Sequence, residues 1–394
     1  MKICNRLLAL VMALCLLLPT LVWAEDDEIE YSLLDEGLIE EEEVLLDDEE
    51  GLDDFEIADG EAETIEEDLD TLDREPDIDE NDLEINPNLP DNVLNILLIG
   101  VDMRDQDISS TSSLLHNDVT MILSVNLDDG SIKLTSILRD LYVPIPGYKD
   151  QGRLNVAYAR GSGKKNQENN RGAALTMRTV NHNFEMNISE YVVINFYGLA
   201  AIIDYLGGID VDLIKGEAYA INEYLRTKGR RMTYDVTGNE NREPLKVETS
   251  TQHLDGIQAV MYARLRSKMA SAGTGDFART ARQRHLLELL LKKVLEDIDI
   301  NKLGKLIQVA YPYVRTNISA STMLQLALSV LQGDIISRMR SGEEVLSQHR
   351  VPLDRGYSYS QVNGASVITM SSRQWDNARQ SIHYFIYGNY YPAK

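Results

Sequence analysis

The 60 residues from 25 to 84 read as too acidic to build a packed core of their own. They carry 32 aspartates and glutamates against one arginine and no lysine. The like charges come in runs, EEEE at 40–43 and DDEE at 47–50, and the apolar residues between them keep no lasting period. Such a segment buries too little apolar surface to offset the entropy of ordering its backbone, so it reads as disordered. Three roles stay open for it: a solvated spacer, a binder of divalent cations, or a lid on a basic site in the following domain. The same count bears on that domain. The whole chain has a formal net charge of −26, yet with the acidic segment and the two basic residues of the first 24 set aside, residues 85–394 come to about +3. The acidity belongs to a tail.

Residues 1–24 read as a secretory signal, with Lys2 and Arg6 as the basic start, Leu7 to Trp23 as the apolar run, and Val22-Trp23-Ala24 before the cleavage point. The apolar run is also long enough to stay as an uncleaved membrane anchor. A lipoprotein anchor at Cys15 is disfavoured because Leu14 precedes it, where a small residue is needed. Both readings place the domain outside the cytoplasm. Cys4 and Cys15 are the two cysteines of the chain and lie inside this segment, so a mature domain has no thiol chemistry and no disulfide. The six histidines, at 116, 182, 253, 285, 349 and 383, form no pair at zinc-ligand spacing.

After NPNLPDN at 86–92 the pattern changes. VLNILLIGVD reads as a buried strand, and VTMILSVNL and SIKLTSIL as two more joined by the hairpin signal Asp128-Asp129-Gly130. YVVINF at 191–196 and IDVDL at 209–213 read as strands around a helix, GLAAIIDYLG, closed by Gly207-Gly208. Strands alternating with helices predict an α/β fold layered around a mixed sheet. KLIQVAYPYV and TMLQLALSVL read as amphipathic helices capping the same domain, and the end of the chain carries the aromatic stretch YFIYGNYYP. The organisation expected is a signal over 1–24, an acidic linker over 25–91, a main domain over 92–300, and an extension over 301–394 packed on that domain.

Arginines gather in GDFARTARQRHLLELLLKKV, residues 275–294. Asp276 is a candidate helix N-cap, and Leu286, Leu290 and Val294 recur as a core-facing stripe. Continued backwards by threes and fours, the stripe takes in Gln283 and Arg279, which therefore face inward in the first turns. Arg284, Glu288 and Lys292 form an i, i+4 ladder that needs only solvent, and Arg282 sits between the two faces. Upstream, VMYARLR reads as a strand with Tyr262, Arg264 and Arg266 on one side. Two parallel guanidinium groups beside a helix amino end suit an anion such as a phosphate or diphosphate; exposed strand arginines are the plainer reading.

Carboxylates stand at strand ends as well. GVDMRD puts Asp102 and Arg104 just past one strand and HNDV puts Asp118 just before the next, so both carboxylates reach one rim if the strands are neighbours. They are turn residues, or two hard ligands for a magnesium ion that also holds phosphate oxygens. SILRD adds Arg139 and Asp140 at the same ends. Charges of both signs meeting at one edge are expected for a metal diphosphate.

The motifs NILLIGVDMR, HNDVTMILSVN, IKLTSILRDLYVPIPGY, GRLNVAYARG, VVINFYGLAAIIDYLGGIDVDL, LDGIQAVMYARLR and GDFARTARQR, in that order, resemble the LytR-CpsA-Psr proteins of the bacterial cell envelope. The resemblance covers about residues 92–390. It implies an α/β/α sandwich with a mixed central sheet and an apolar pocket for a polyprenyl chain. It also implies an extracytoplasmic enzyme, secreted or membrane-anchored at the outer face of the cytoplasmic membrane, that moves a glycopolymer from an undecaprenyl diphosphate lipid to peptidoglycan. Carried over, Asp102 and Asp118 match the Mg2+ carboxylates, and Arg139, Arg264, Arg266, Arg279 and Gln283 match the head-group contacts, with Arg282 beside them. Where the family shows Arg-Ser before the second aspartate and Thr after it, this chain has His116, Asn117 and Val119. His116 is then a replacement donor to phosphate, a proton acceptor, or a surface histidine.

On this reading an acceptor hydroxyl attacks phosphorus, Asp118 takes the proton, and Arg139 and the other arginines neutralise the departing lipid phosphate. No G-x-S-x-G, no Walker loop and no mature cysteine offers another nucleophile system. The alternative is a polyprenyl-phosphate or wall-polymer binding protein of the same fold without catalysis. Nucleic acid is disfavoured as a partner by the signal and by a domain charge of about +3.

Overall fold

The computed structural model describes residues 82–101, 117–162, 171–227, 242–265, 276–297 and 346–393, with scattered positions between 306 and 341. The signal and the acidic segment through residue 81 lie outside the described residues, as do Asp102, Arg104, His116 and Arg266.

Strand β1 (Val93–Val101) is the apolar run VLNILLIGV, and nearly all of it is buried. A strand apolar on both sides must be covered on both sides, which makes it central to a layered sheet. It pairs antiparallel with β2 (Asn117–Asn126) and parallel with β6 (Glu190–Asn195). The Asp128-Asp129-Gly130 signal holds: Gly130, at φ 69°, donates its N–H to Asn126 O at 2.9 Å, and the turn delivers β3 (Ile132–Ile137) antiparallel to β2. The finished sheet has six strands in the order β10-β3-β2-β1-β6-β9, with β9 (Val314–Thr316) and β10 (Leu346–Val351) at its edges, while the short strands β4 (Tyr142–Val143) and β5 (Gly152–Arg153) pair outside it.

Alternate residues of the strands feed two apolar layers. On one side Ile96, Leu98, Met121 and Leu123 pack with α3 (Phe196–Tyr205), α5 (Gly256–Arg264) and α6 (Asp276–Asp297). On the other, Leu97, Ile99 and Ile122 pack with α1 (Val156–Ser162), α2 (Arg171–Phe184) and α7 (Ser372–Tyr387). The result is the α/β/α sandwich expected, with a mixed central sheet. Among the described residues no helix is long and apolar enough to cross a membrane.

Four expectations change. IDVDL is a strand, β7 (Ile209–Leu213), but it pairs with β8 (Ser250–Leu254) in a separate ribbon. VMYARLR is not a strand: residues through Arg264 form α5. Its apolar run is short enough to satisfy either period, and a capping box decides the matter. Asp255 accepts from Gln258 N at 2.9 Å while Gln258 Oε1 accepts from Asp255 N at 3.1 Å, and Asp204 takes the Gly256 N–H at 2.7 Å. Gly256 lets α5 approach α3 closely, since a Cβ there would stand 2.1 Å from Ala200 O.

The C-terminal third is not an added cap. It supplies both edge strands and, through Val351, Ile368 and Ile382, part of the second core. Most of the two stretches expected as helices, 305–314 and 322–331, lies outside the described residues, although Val314 opens β9.

The domain also begins earlier than residue 92. Glu84 accepts from Arg178 Nε at 2.9 Å, and its other oxygen lies 2.6 Å from His182 Nδ1. Asn86, 2% exposed, donates to Glu185 O at 2.9 Å and Tyr391 O at 2.8 Å, tying the start of the domain to its end. Asn86→Ala leaves buried carbonyls without these donors, so a loss of about 1–3 kcal/mol is expected in urea denaturation.

The packing of α7 on β10 includes a histidine. His349 stacks on Phe385 with centroids 5.0 Å apart, and its Nε2 lies 2.7 Å from Ser381 Oγ. Burial, aided by the Arg284 and Arg350 guanidiniums, pushes its imidazole down to about 4. The folded state then binds fewer protons than the unfolded state between about pH 6.5 and 4, so stability falls as pH drops through that window and is complete above it. His349→Gln is expected to remove on the order of 2–3 kcal/mol of the acid-dependent loss, read as a flatter dependence of unfolding free energy on pH from 6.5 to 4.

Candidate active site

Strand directions bring the chemistry to one end of the sheet. β1 and β6 run parallel and finish together, Val101 beside Asn195. Val101 also faces Asn117, the first residue of β2, and Thr120 faces Ile137, the last of β3. β10 ends in register with β3, Val351 beside Ile137. Open α/β sheets bind ligands at such carboxyl ends. The rim therefore gathers the positions of Asp102, Asp118 and Arg139.

The register between β1 and β2 runs Gly100–Val119 and then Val101–Asn117, so Asp118 is the extra residue of a bulge inside β2. Bulges of this kind interrupt side-chain alternation and are common next to active sites. Asp118 thus lies within the strand and not before it. Its side chain, like all of Asp102, lies outside what is described, and among the described residues no three metal-ligating side chains form a cluster.

Asn117, the residue before Asp118, is held inside the fold. It is fully buried, donates from Nδ2 to Thr120 Oγ1 at 2.8 Å, and accepts from Tyr158 N at 3.4 Å. Its backbone N–H donates to Asn155 O, and Asn155 N donates to Arg139 O, both at 3.1 Å. Asn155 therefore joins the start of β2 to the exit of β3 and draws Arg139 to the bulge. The Arg139 guanidinium is 3.6 Å from Asp140, which also lies 3.7 Å from Arg153.

Helix α6 covers the rim from the first core's side. Phe277, in its opening turn, lies under the Arg350 guanidinium at 4.3 Å, which sets the amino end of α6 over the end of β10. The inward stripe is as expected: Arg279 is 1% and Gln283 2% exposed. Asp276, expected as N-cap, is the first residue of the helix. Arg264 ends α5, with its guanidinium 5.2 Å from the Tyr224 ring and 5.9 Å from the Phe196 ring. Phe196 follows the last residue of β6, so Arg264 also stands by the rim.

Two arginines depart from expectation. Arg282 is 4% exposed and bonds Glu217 Oε1 at 2.8 Å and Leu265 O at 2.8 Å. These contacts clamp α6 to the end of α5 and to the first turn of α4 (Lys215–Thr227). Arg284 is no solvent ladder. It donates to Ser136 Oγ at 2.6 Å and Gln348 Oε1 at 3.0 Å, and burial lowers its affinity for a proton to about 10. Only the Glu288–Lys292 half of the ladder stands as expected, at 2.7 Å, with Glu288 also taking Gln348 Nε2 at 3.0 Å. Both arginines fasten the helix that carries Arg279 and Gln283.

Glu217 escaped the sequence reading. Its one available signal was an acid in a helix's first turn, which ordinarily means a solvated cap. Asn195 escaped too: it ends β6 and caps α3 by accepting Gly198 N at 2.9 Å.

These features define a class: a three-layer α/β protein with buried arginines on a helix that caps the carboxyl rim of a mixed sheet. The chain belongs to the LytR_cpsA_psr family, whose model matches residues 59–381. A curated relative from Enterococcus faecalis, named polyisoprenyl-teichoic acid–peptidoglycan teichoic acid transferase TagU, is 29% identical over 234 residues, which cover 59% of this chain and 64% of the relative. The chain thus matches less than two thirds of that relative's length. Two solved structures share the fold. B. subtilis TagV aligns with a TM-score of 0.52 at 21% identity over 77% of this chain and all of the other. A structure described as TagT bound to LI-WTA aligns with a TM-score of 0.52 at 18% identity, over 75% of this chain and 91% of the other.

Glu217→Ala strands the Arg282 charge in a buried position. A destabilisation of about 3–5 kcal/mol is expected by denaturant unfolding, far beyond that of an exposed helix acid.

Proposed function

We propose that this protein transfers a glycopolymer from an undecaprenyl-diphosphate-linked precursor to a hydroxyl of peptidoglycan, at the outer face of the cytoplasmic membrane. The reading rests above all on Arg279, buried with Gln283 in the first turns of α6. A helix amino end is already partly positive, so cations there repel it, and a bound diphosphate relieves that repulsion. Arg264 and Arg139 border the same rim, and Arg266 follows α5 by two residues. The teichoic acid transferase name of the Enterococcus faecalis relative, and the TagT structure described as bound to LI-WTA, support the same substrate class.

The chemistry asks mainly for position and charge. The acceptor hydroxyl oxygen forms a bond to the phosphorus that carries the polymer. The bond from that phosphorus to the bridging oxygen breaks, and its electron pair leaves with the polyprenyl phosphate. Asp118 takes the hydroxyl proton. Arg279, Arg264 and Arg139 hold the diphosphate and neutralise the charge that grows on the leaving group. Val101 pairs with Asn117, so the residues that follow each in sequence, Asp102 and Asp118, would be the hard oxygen donors for a magnesium ion. Such an ion would add to the charge neutralisation supplied by the arginines.

Arg279→Ala tests the assignment. The variant is expected to fold, to lose co-purifying polyprenyl lipid as read by mass spectrometry, and to lose transfer by about 100-fold or more. Retention of lipid at wild-type occupancy overturns the head-group site. Asp102→Asn and Asp118→Asn are each expected to remove Mg2+-dependent transfer while leaving the lipid bound. Transfer that survives both substitutions and EDTA removes the metal from the mechanism, and lipid binding without any transfer in the wild type favours a binding protein of the same fold.

A further inference from the structure

A second, uncharged surface adjoins the arginine rim. After β10 the chain forms a hairpin of β11 (Ser358–Val362) and β12 (Ala365–Thr369), paired antiparallel outside the main sheet. It has two roots in the rim. Ile368 N donates to Asp140 O at 2.8 Å and Ile368 bridges Leu141, which fastens β12 to the residues just after Arg139. At the base of β11, Tyr357 stacks on Phe277 with centroids 4.9 Å apart, two residues before Arg279 in α6. The hairpin therefore spans the gap between the two cationic segments of the rim.

Its outward side is aromatic and polar without charge. Tyr359 is 66% exposed and meets the Tyr357 ring edge-on at 5.5 Å, so a row of rings leads from solvent to the first turn of α6. Gln361, two residues on, is exposed on the same face as Tyr359, with Ser366 opposite it, while Ser360 and Thr369 share a hydrogen bond at 3.0 Å on the other face. Neither strand contains an acidic or basic residue. An electron-rich ring face with an amide and a serine on the same side of the ribbon suits the C–H face and hydroxyls of a neutral sugar, not a phosphate-rich polymer.

We infer that this hairpin is the ledge on which the acceptor glycan lies during transfer. The inference rests on the transferase reading above. In-line displacement requires the attacking hydroxyl to approach phosphorus from the side opposite the leaving lipid phosphate. The hairpin is fastened beside Arg139 through Asp140 and beside Arg279 through Phe277, at the outer border of the rim. The ledge thus stands where the incoming group arrives, and its lack of charge selects the N-acetylhexosamine backbone of peptidoglycan over an anionic donor polymer.

The experiment measures two affinities on the full mature chain and its variants: for a β-1,4-linked N-acetylglucosamine hexamer by calorimetry, and for a soluble short-chain polyprenyl diphosphate by the same method. Tyr359→Ala is expected to weaken the hexamer about tenfold and leave the diphosphate unchanged, while Tyr359→Phe, which keeps the ring, stays within about twofold for both. In transfer assays Tyr359→Ala raises the acceptor KM with little change in kcat. Equal hexamer affinity in wild type and Tyr359→Ala, or no hexamer binding by the wild type, overturns the ledge while leaving the diphosphate site standing. A loss confined to the diphosphate arm moves the donor onto the hairpin and overturns the acceptor assignment. Unchanged diphosphate affinity in Arg279→Ala instead overturns the transferase reading, whatever the hexamer does.

Discussion

Positive charge buried at the amino end of a helix is electrostatically unfavourable, and α6 carries two arginines there, Arg279 and Arg282, each under 5% exposed. The surrounding structure is arranged around that constraint. Glu217, from the first turn of α4, matches Arg282 at 2.8 Å, and the same guanidinium holds the carbonyl of Leu265 at the end of α5. One turn on, Arg284 anchors the helix to β3 and β10 through Ser136 and Gln348. Those contacts hold the turns of α6 in which Arg279 and Gln283 are buried.

The same economy explains why the C-terminal third cannot be separated from the site. β10 carries Gln348, which receives Arg284, and Arg350, which covers Phe277. The hairpin that follows is tied to Asp140 on one side and to α6 on the other. The rim is thus held between segments that are more than 200 residues apart in the chain, and the head-group position depends on the closure of the last strands. Residues 82–91 add a further tie, since Asn86 bonds the carbonyl of Tyr391.

Much of the fold was legible because periodicity reports burial. The unbroken apolar run of β1 announced a central strand, Asp128-Asp129-Gly130 announced the hairpin, and the stripe through Leu286, Leu290 and Val294 turned Arg279 and Gln283 inward before any coordinates were known. The errors have physical causes too. VMYARLR alternates and also fits a helix over so short a length, and only the Asp255–Gln258 capping box and the fit of Gly256 against α3 decided for the helix. Arg284, Glu288 and Lys292 have the spacing of a solvent ladder, but the spacing of charges on one helix carries no information about which strand lies beneath it.

The sequence by itself determined the layered α/β class, the hairpin after β2 and the inward face of α6, since each is a local property of period or turn chemistry. Only the tertiary structure decided that Glu217 and Arg282 form a buried pair 65 residues apart, that β9 and β10 close the sheet, and that an uncharged aromatic hairpin borders the cationic rim. Pairings between distant segments are selected by the free energy of the assembled core, to which every strand and helix contributes at once, and no single stretch of chain encodes them.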